Sequence, residues 1–144
     1  MKTSEDFSKL KKGDEVLLSG KVYIARDLAH KKLLEEDFDL KIDVIYHCGP
    51  LFKGDEIVSA GPTTSKRMEP YTKEVVEKYG VRGIIGKGGM EVPEGVVYFE
   101  AVGGAGALLA KKIKSWKKIV DLGPVESILE CEVEEFPVIV SSSR

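Results

Sequence analysis

Three short stretches hold the residues whose types and spacing could do chemistry. The first is "SAGPTTSKRMEPYTKE", Ser59 to Glu74. Pro62 fixes a turn, and Thr63 or Thr64 is well placed to cap the helix that the following residues predict. A helix start also offers unpaired N–H groups and the positive end of a dipole, which suits an anion. Arg67 lies four residues after Thr63, so in a helical first turn the two face the same side. One hydroxyl, one guanidinium and free backbone amides would then converge on a small volume. A guanidinium fork suits a carboxylate because it can bind both oxygens. A capped helix with an exposed Arg would use the same residues, and this segment alone leaves both readings open.

The second stretch is "IIGKGGM", in which a strand delivers Lys87 into a turn made by Gly86, Gly88 and Gly89. Glycines let the backbone approach a ligand closely. This is not a P-loop: Gly88 follows Lys87 where Ser or Thr is needed, and Val81 stands where the first Gly belongs. It is not a dinucleotide fingerprint either, because Glu91 occupies the third glycine position. "GGAG" at Gly103 to Gly106 fails likewise, with Leu109 in that place. A plain β-turn is the competing reading. The third stretch is "IARDLAH". Arg26 and His30 are four apart, so a helix would put them on one face, with Asp27 as its N-cap. A solvated helix start explains it equally. All three share one design: a strand ends, a tight turn or helix start follows, and a cation sits there. If those strand ends share one sheet edge, Arg26, Arg67 and Lys87 face one pocket, the layout expected for a small dicarboxylate.

The elements that must position these residues can be read from periodicity. "EVLLSGKVYIAR" predicts two short strands, or one bent strand, around Gly20, and "DLAHKKLLEEDF" predicts a helix. "KIDVIYHCG" and "DEIVSAGP" predict strands. "MEPYTKEVVEKYG" predicts a helix with Val75, Val76 and Tyr79 on one face and Gly80 as its stop. "VRGIIGKGG" and "GVVYFEAV" predict strands, "GGAGALLAKKI" a small-residue helix, and "KSWKKIVDL" and "SILECEVEEFPVIV" closing strands. The terminal "SSSR" is expected to fray. Strands outnumber helices by about two to one, which predicts a mixed-sheet or layered β/β/α domain over residues 1–144 rather than a regular parallel wind.

The totals bound the function. The chain has 22 Lys plus Arg against 24 Asp plus Glu, a net charge of -2, whereas a general nucleic-acid binder shows a basic footprint. "KLKK" and "KKIKSWKK" therefore read as solvated faces. No apolar run approaches the ~20 residues of a membrane span, and the N-terminal stretch has no apolar h-region, so a cytoplasmic protein is expected. The two cysteines, Cys48 and Cys131, share no CxxC spacing, and with two histidines they make no convincing metal site. Any metal the function needs is expected from elsewhere.

"GxxxxARDLAH", "HCGP", "SAGPTTSKRMEPYT", "GIIGKGGM" and "ECEVEEFPVIV", in that order, resemble the β subunit of the two-subunit iron–sulfur hydro-lyases, the class I fumarate hydratases and L(+)-tartrate dehydratases. The resemblance runs from about Gly13 to Val140. It implies a swivelling β/β/α domain with about three helices. It also implies reversible addition of water to a dicarboxylate, fumarate to (S)-malate, or the dehydration of tartrate to oxaloacetate. The [4Fe-4S] cluster would be held by a cysteine-bearing α subunit, in a possible α2β2 assembly, with no metal ligand in this chain. By motif, Thr63 would be the base, and Arg26, Arg67 and Lys87 would bind the substrate. Asp27, His30, Thr64, Ser65, Gly86 and Gly88 would support them. A non-catalytic module that binds a small anion or serves in assembly is the alternative from another class.

Overall fold

The computed structural model of the chain describes residues 1–102 and 105–143. Strand β1 (Glu15–Ile24) leads to helix α1 (Asp27–Glu35), then to strands β2 (Val44–Tyr46), β3 (Leu51–Lys53) and β4 (Glu56–Ser59). A 3-10 turn (Ser65–Met68) runs directly into helix α2 (Glu69–Tyr79). Strands β5 (Gly83–Gly86) and β6 (Val97–Ala101), helix α3 (Gly106–Ala110), and strands β7 (Ile113–Val120) and β8 (Ile128–Ser143) complete the order. The chain is thus mixed α/β with three α-helices among the described residues. Gly103 and Gly104 of the "GGAG" stretch lie outside them.

Six strands form one sheet in the order β1-β2-β5-β6-β8-β7, while β3 and β4 pair as a separate hairpin. Neighbours β1, β2, β5 and β6 run parallel, and β8 runs antiparallel to β6 and β7. Strand β8 also pairs with β1 along the length of that strand, so the pairings close into a circuit. One bend accommodates this closure. The β1–β8 register shifts between Leu18 and Gly20, where Gly20 takes a φ of +126°, a conformation open to glycine at little cost. Glu135 opposite has a φ of +50° and donates its N–H to Ser19 Oγ at 2.9 Å. "EVLLSGKVYIAR" is therefore one bent strand.

Strand alternation divides the core between two faces. Val22, Ile24, Val44, Tyr46, Ile85, Val97 and Phe99 share one apolar cluster with Leu109 of α3 and Ile57 of the hairpin. Tyr23, Ile45, Ile84 and Tyr98 point the other way, into a cluster with Ala29 and Leu33 of α1 and Val75 and Tyr79 of α2. Burying each large side chain contributes about 1.5–3 kcal/mol, so α1 and α2 are fixed against the sheet by their apolar stripes. Helix α2 stops at Gly80, whose left-handed φ of +74° lets its N–H reach the Val76 carbonyl, as predicted.

Three local expectations are corrected. Asp27 is not the cap of α1: Arg26 holds that position and makes no side-chain cap bond, while Asp27 is the first helical residue. Neither Thr63 nor Thr64 caps α2. The 3-10 turn intervenes, Met68 precedes the helix, and Thr64 flanks the turn without a side-chain cap bond. Ser141–Ser143 belong to β8, where Ser142 and Ser143 pair with Tyr98 and Val97, because β6 offers an otherwise open edge there. Arg144 lies outside the described residues.

Candidate functional site

The parallel strands β1, β2 and β5 are adjacent, so their C-terminal ends lie along one edge of the sheet. Beyond those ends come Arg26, His47 and Lys87. The Gly61–Ser65 loop is laid across them by backbone bonds. Thr63 N donates to the His47 carbonyl at 2.8 Å, and Ser65 N donates to the Lys87 carbonyl at 3.0 Å. Thr64 and Lys87 form a parallel bridge. This lacing, rather than a helix cap, places Thr63 and Arg67.

Arg67 Nη2 donates to Thr63 Oγ1 at 2.8 Å and lies 3.7 Å from Asp27 Oδ1. The helical spacing anticipated from the sequence therefore does bring the guanidinium and the hydroxyl together. The Arg67–Asp27 pair is half-exposed and long, which makes it worth at most about 1 kcal/mol and open to exchange with another anion. Arg26 sits deeper, with its Nε 3.7 Å from Glu126 Oε2. Lys87 is exposed and joins the group through its backbone. Thr63, Arg67 and Asp27 thus touch directly, Arg26 adjoins Asp27 along the chain, and Lys87 borders them through Thr64 and Ser65.

Beneath this charged rim lies a buried polar layer. His47 Nδ1 and Ser65 Oγ are hydrogen-bonded at 2.7 Å. Tyr98 Oη lies 3.0 Å from Ser65 Oγ and donates to the Gly88 carbonyl at 2.6 Å. Gly88 N in turn donates to Glu100 Oε1 at 3.0 Å. Gly86 is needed here for space: a Cβ on it would fall 1.7 Å from Ser65 Oγ. His30 does not reach the rim. It is buried, its Nδ1–H donates to the Arg26 carbonyl at 2.7 Å, and its ring lies 5.3 Å from that of His47. The face shared by Arg26 and His30 is thus not a common surface, because Arg26 caps the helix instead of belonging to it.

Burial holds the His30 imidazole below its usual range, against the opposing pull of the Arg26 carbonyl and Asp27. Burial, and then the neighbouring His30, hold His47 well below it. Both rings are neutral at pH 7. His47 Nε2 is buried without a hydrogen-bond partner among the described residues. Nδ1, facing Ser65, is the His47 ring nitrogen with a hydrogen-bond partner.

His47, Tyr98 and Glu126 were not singled out from the sequence. The "HCGP" motif did hold a signal for His47, a polar residue closing an apolar strand. Tyr98 and Glu126 act across long sequence separations and leave no local signature. Cys48 and Cys131 are both buried, and burial pushes both thiols up, Cys131 to about 12. Both side chains pack in the same apolar core cluster. Among the described residues no group of three or more His, Cys, Asp or Glu side chains could hold a metal ion. No described helix is long and apolar enough to cross a membrane.

The family model of the fumarase C-terminus matches residues 1–143. The chain belongs to the fumarase C-terminus family. Within that family it is 42% identical to a Methanocaldococcus jannaschii protein provisionally named L(+)-tartrate dehydratase subunit beta, over 96% of this chain and 83% of the relative. It is 37% identical to the L(+)-tartrate dehydratase subunit beta of Escherichia coli K12, over 96% of this chain and 78% of the relative. It is also 37% identical to a Geobacillus stearothermophilus protein provisionally named class I fumarate hydratase, where 96% of this chain matches 30% of a longer protein. In this chain of the fumarase C-terminus family, four of the five motifs that gave the resemblance meet at the sheet edge, and the fifth, "ECEVEEFPVIV", lies in β8.

Proposed function

We propose that this chain is the β-type subunit of a hydro-lyase that interconverts fumarate and (S)-malate at a site shared with an α subunit. The observation that carries the reading is the Arg67–Thr63 hydrogen bond, made by a loop laid over adjacent strand ends that also present Arg26 and Lys87. Two arginines and a lysine along one edge match the two negative ends of a small dicarboxylate. Family membership and the relatives' names support the same reaction class.

In this reading Arg26 and Arg67 bind the substrate carboxylates and Lys87 assists. Thr63 Oγ removes the proton from carbon 3 of malate. The C–H electron pair becomes the C2=C3 double bond, and the carbon 2 hydroxyl leaves as water with a proton from a partner-borne acid. A threonine hydroxyl ionises far above pH 7, so it needs strong help. The Arg67 guanidinium bonded to Oγ favours the ionised form. Asp27, His30, Thr64, Gly86 and Gly88 hold these groups in place. The resemblance implies a [4Fe-4S] cluster; this chain's two cysteines lie in its apolar core, and the reading assigns the cluster to the partner. It further takes residues 1–144 as one unit, with α2β2 as the expected assembly in the cytoplasm.

Tartrate is the second reading, favoured by two of the three relatives above being named for L(+)-tartrate. Fumarate and tartrate chemistry differ by one substrate hydroxyl. Assembly of this chain with its cysteine-bearing partner under anaerobic conditions, assayed on fumarate, malate and both tartrate enantiomers, tests the proposal. Turnover of fumarate and malate is expected. Turnover of tartrate alone would transfer the assignment to the second reading, and turnover of none would reject the hydro-lyase function.

A further inference from the structure

We propose that Glu126 is a positioning residue that sets the Arg26 guanidinium for a substrate carboxylate. The inference rests on the reading of Arg26 as a carboxylate ligand. Glu126 sits in the β7–β8 connection, 98 residues along the chain from Leu28, yet it reaches the start of α1. One carboxyl does two things there. Its Oε1 accepts the Leu28 N–H at 3.2 Å, filling the cap role that no local side chain takes. Its Oε2 lies 3.7 Å from Arg26 Nε.

The connection that presents Glu126 is itself rigidly built. Ser127 is buried and accepts from Leu122 N at 3.0 Å, while its hydroxyl contacts the Gly123 carbonyl at 2.9 Å. Asp121 Oδ1 accepts from Gly123 N at 3.0 Å, and Glu126 N donates to the Gly123 carbonyl at 3.3 Å. The carboxylate is therefore delivered by a folded turn.

Arg26 is confined from a second side. A Cβ on Gly49 would fall 2.7 Å from Arg26 Nη1 and 3.3 Å from its Cδ, so the side chain lies directly against the backbone that leaves β2. Glu126 at Nε and Gly49 beneath Nη1 fix the plane of the guanidinium. The Glu126 contact is an ion pair and not a hydrogen bond: at 3.7 Å it supplies charge, while buried Arg26 Nε has no hydrogen-bond acceptor among the described residues. The pair thus orients Arg26 without saturating its donors. Four-fifths of each side chain is buried, so the charge balance matters more here than at the exposed Arg67–Asp27 pair.

The test uses the enzyme assembled with its partner subunit and the substitutions Glu126→Gln, Arg26→Ala and the two combined. Gln can still accept from Leu28 N but has no charge for Arg26, which separates the cap from the pair. Glu126→Gln is expected to raise the dicarboxylate KM about tenfold with kcat within about twofold and the Tm nearly unchanged. The double variant should be no worse in KM than Arg26→Ala, the signature of one residue acting through the other. On this chain by itself, the NMR resonance of the Arg26 Nε–H should shift in Glu126→Gln while those of α1 amides stay in place. If Arg26→Ala raises KM and Glu126→Gln does not, the inference on Glu126 fails while the reading of Arg26 stands. If Arg26→Ala leaves KM unchanged, both fail.

Discussion

The rim and the layer beneath it are built by opposite rules. At the rim, Arg26, Arg67, Asp27 and Glu126 are charged, partly exposed, and paired at 3.7 Å. In the layer beneath, His47, Ser65 and Tyr98 are neutral, buried, and linked at 2.6–3.0 Å among themselves and to the Gly88 carbonyl. The more exposed of these pairs, Arg67–Asp27, is cheap to exchange for another anion. Short hydrogen bonds in a buried layer are costly to break, because each partner left behind is unsatisfied. The contrast teaches a division of labour: the lower layer locks the 47–49, 61–65 and 86–88 segments to one another, and the rim leaves its cations available.

That division can be broken one layer at a time. Thr63→Ala in the assembled enzyme should lower kcat by about a thousandfold, equivalent to ~4 kcal/mol, with little change in Tm, since among the described residues its side chain hydrogen-bonds only to Arg67. A kcat within about twofold of the parent, measured on malate, would remove Thr63 from the chemistry. The lower layer should respond in the opposite sense. Gly86→Ala forces a Cβ into the space of Ser65 Oγ, and Ser65→Ala strands His47 Nδ1; each should cost about 1–3 kcal/mol of stability by denaturant unfolding of this chain. A wild-type midpoint for both would show that the layer is not load-sharing.

A smaller effect separates the layers by pH. His30 and His47 have folded-state pKa values below their unfolded ones, so the unfolded chain binds protons that the native chain does not. Stability is therefore full above the unfolded histidine value of about 6.5 and declines as pH falls below it. Thermal melts from pH 7.5 to 5 should show this decline, and His47→Asn should flatten it. A slope unchanged by that substitution would mean that the titration belongs elsewhere.

Much of this organisation was legible in the sequence, and the parts that were not have physical reasons. Pattern and stop signals located α2, because Val75, Tyr79 and Gly80 act within one helix. The strand-then-cation rule put Arg26 and Lys87 beside strand ends, because a strand end and the residues after it are neighbours in sequence; Arg67 lies farther along, in the 3-10 turn that follows the 61–65 loop. The caps were misread: Asp27 and Thr63 have cap-like side chains, but Leu28 N of α1 is met by Glu126 from 98 residues away, and a 3-10 turn separates Thr63 from α2. Likewise the "SSSR" end looked frayed because its partner β6 lies some forty residues away in sequence, and pairing at that range leaves no local trace.

The most direct test of the central claim is the kinetics of Arg67→Ala and Arg67→Lys in the assembled enzyme, with Tm recorded on the same samples. Arg67 is exposed, so its loss should leave Tm within about 2 °C while kcat/KM for malate falls by about a thousandfold. Lys should recover little of that loss, because it cannot bond Thr63 and a carboxylate with one planar fork. Near-parental kcat/KM in Arg67→Ala would contradict the account: the cation beside Thr63 would then be a surface charge, and the chemistry would lie elsewhere.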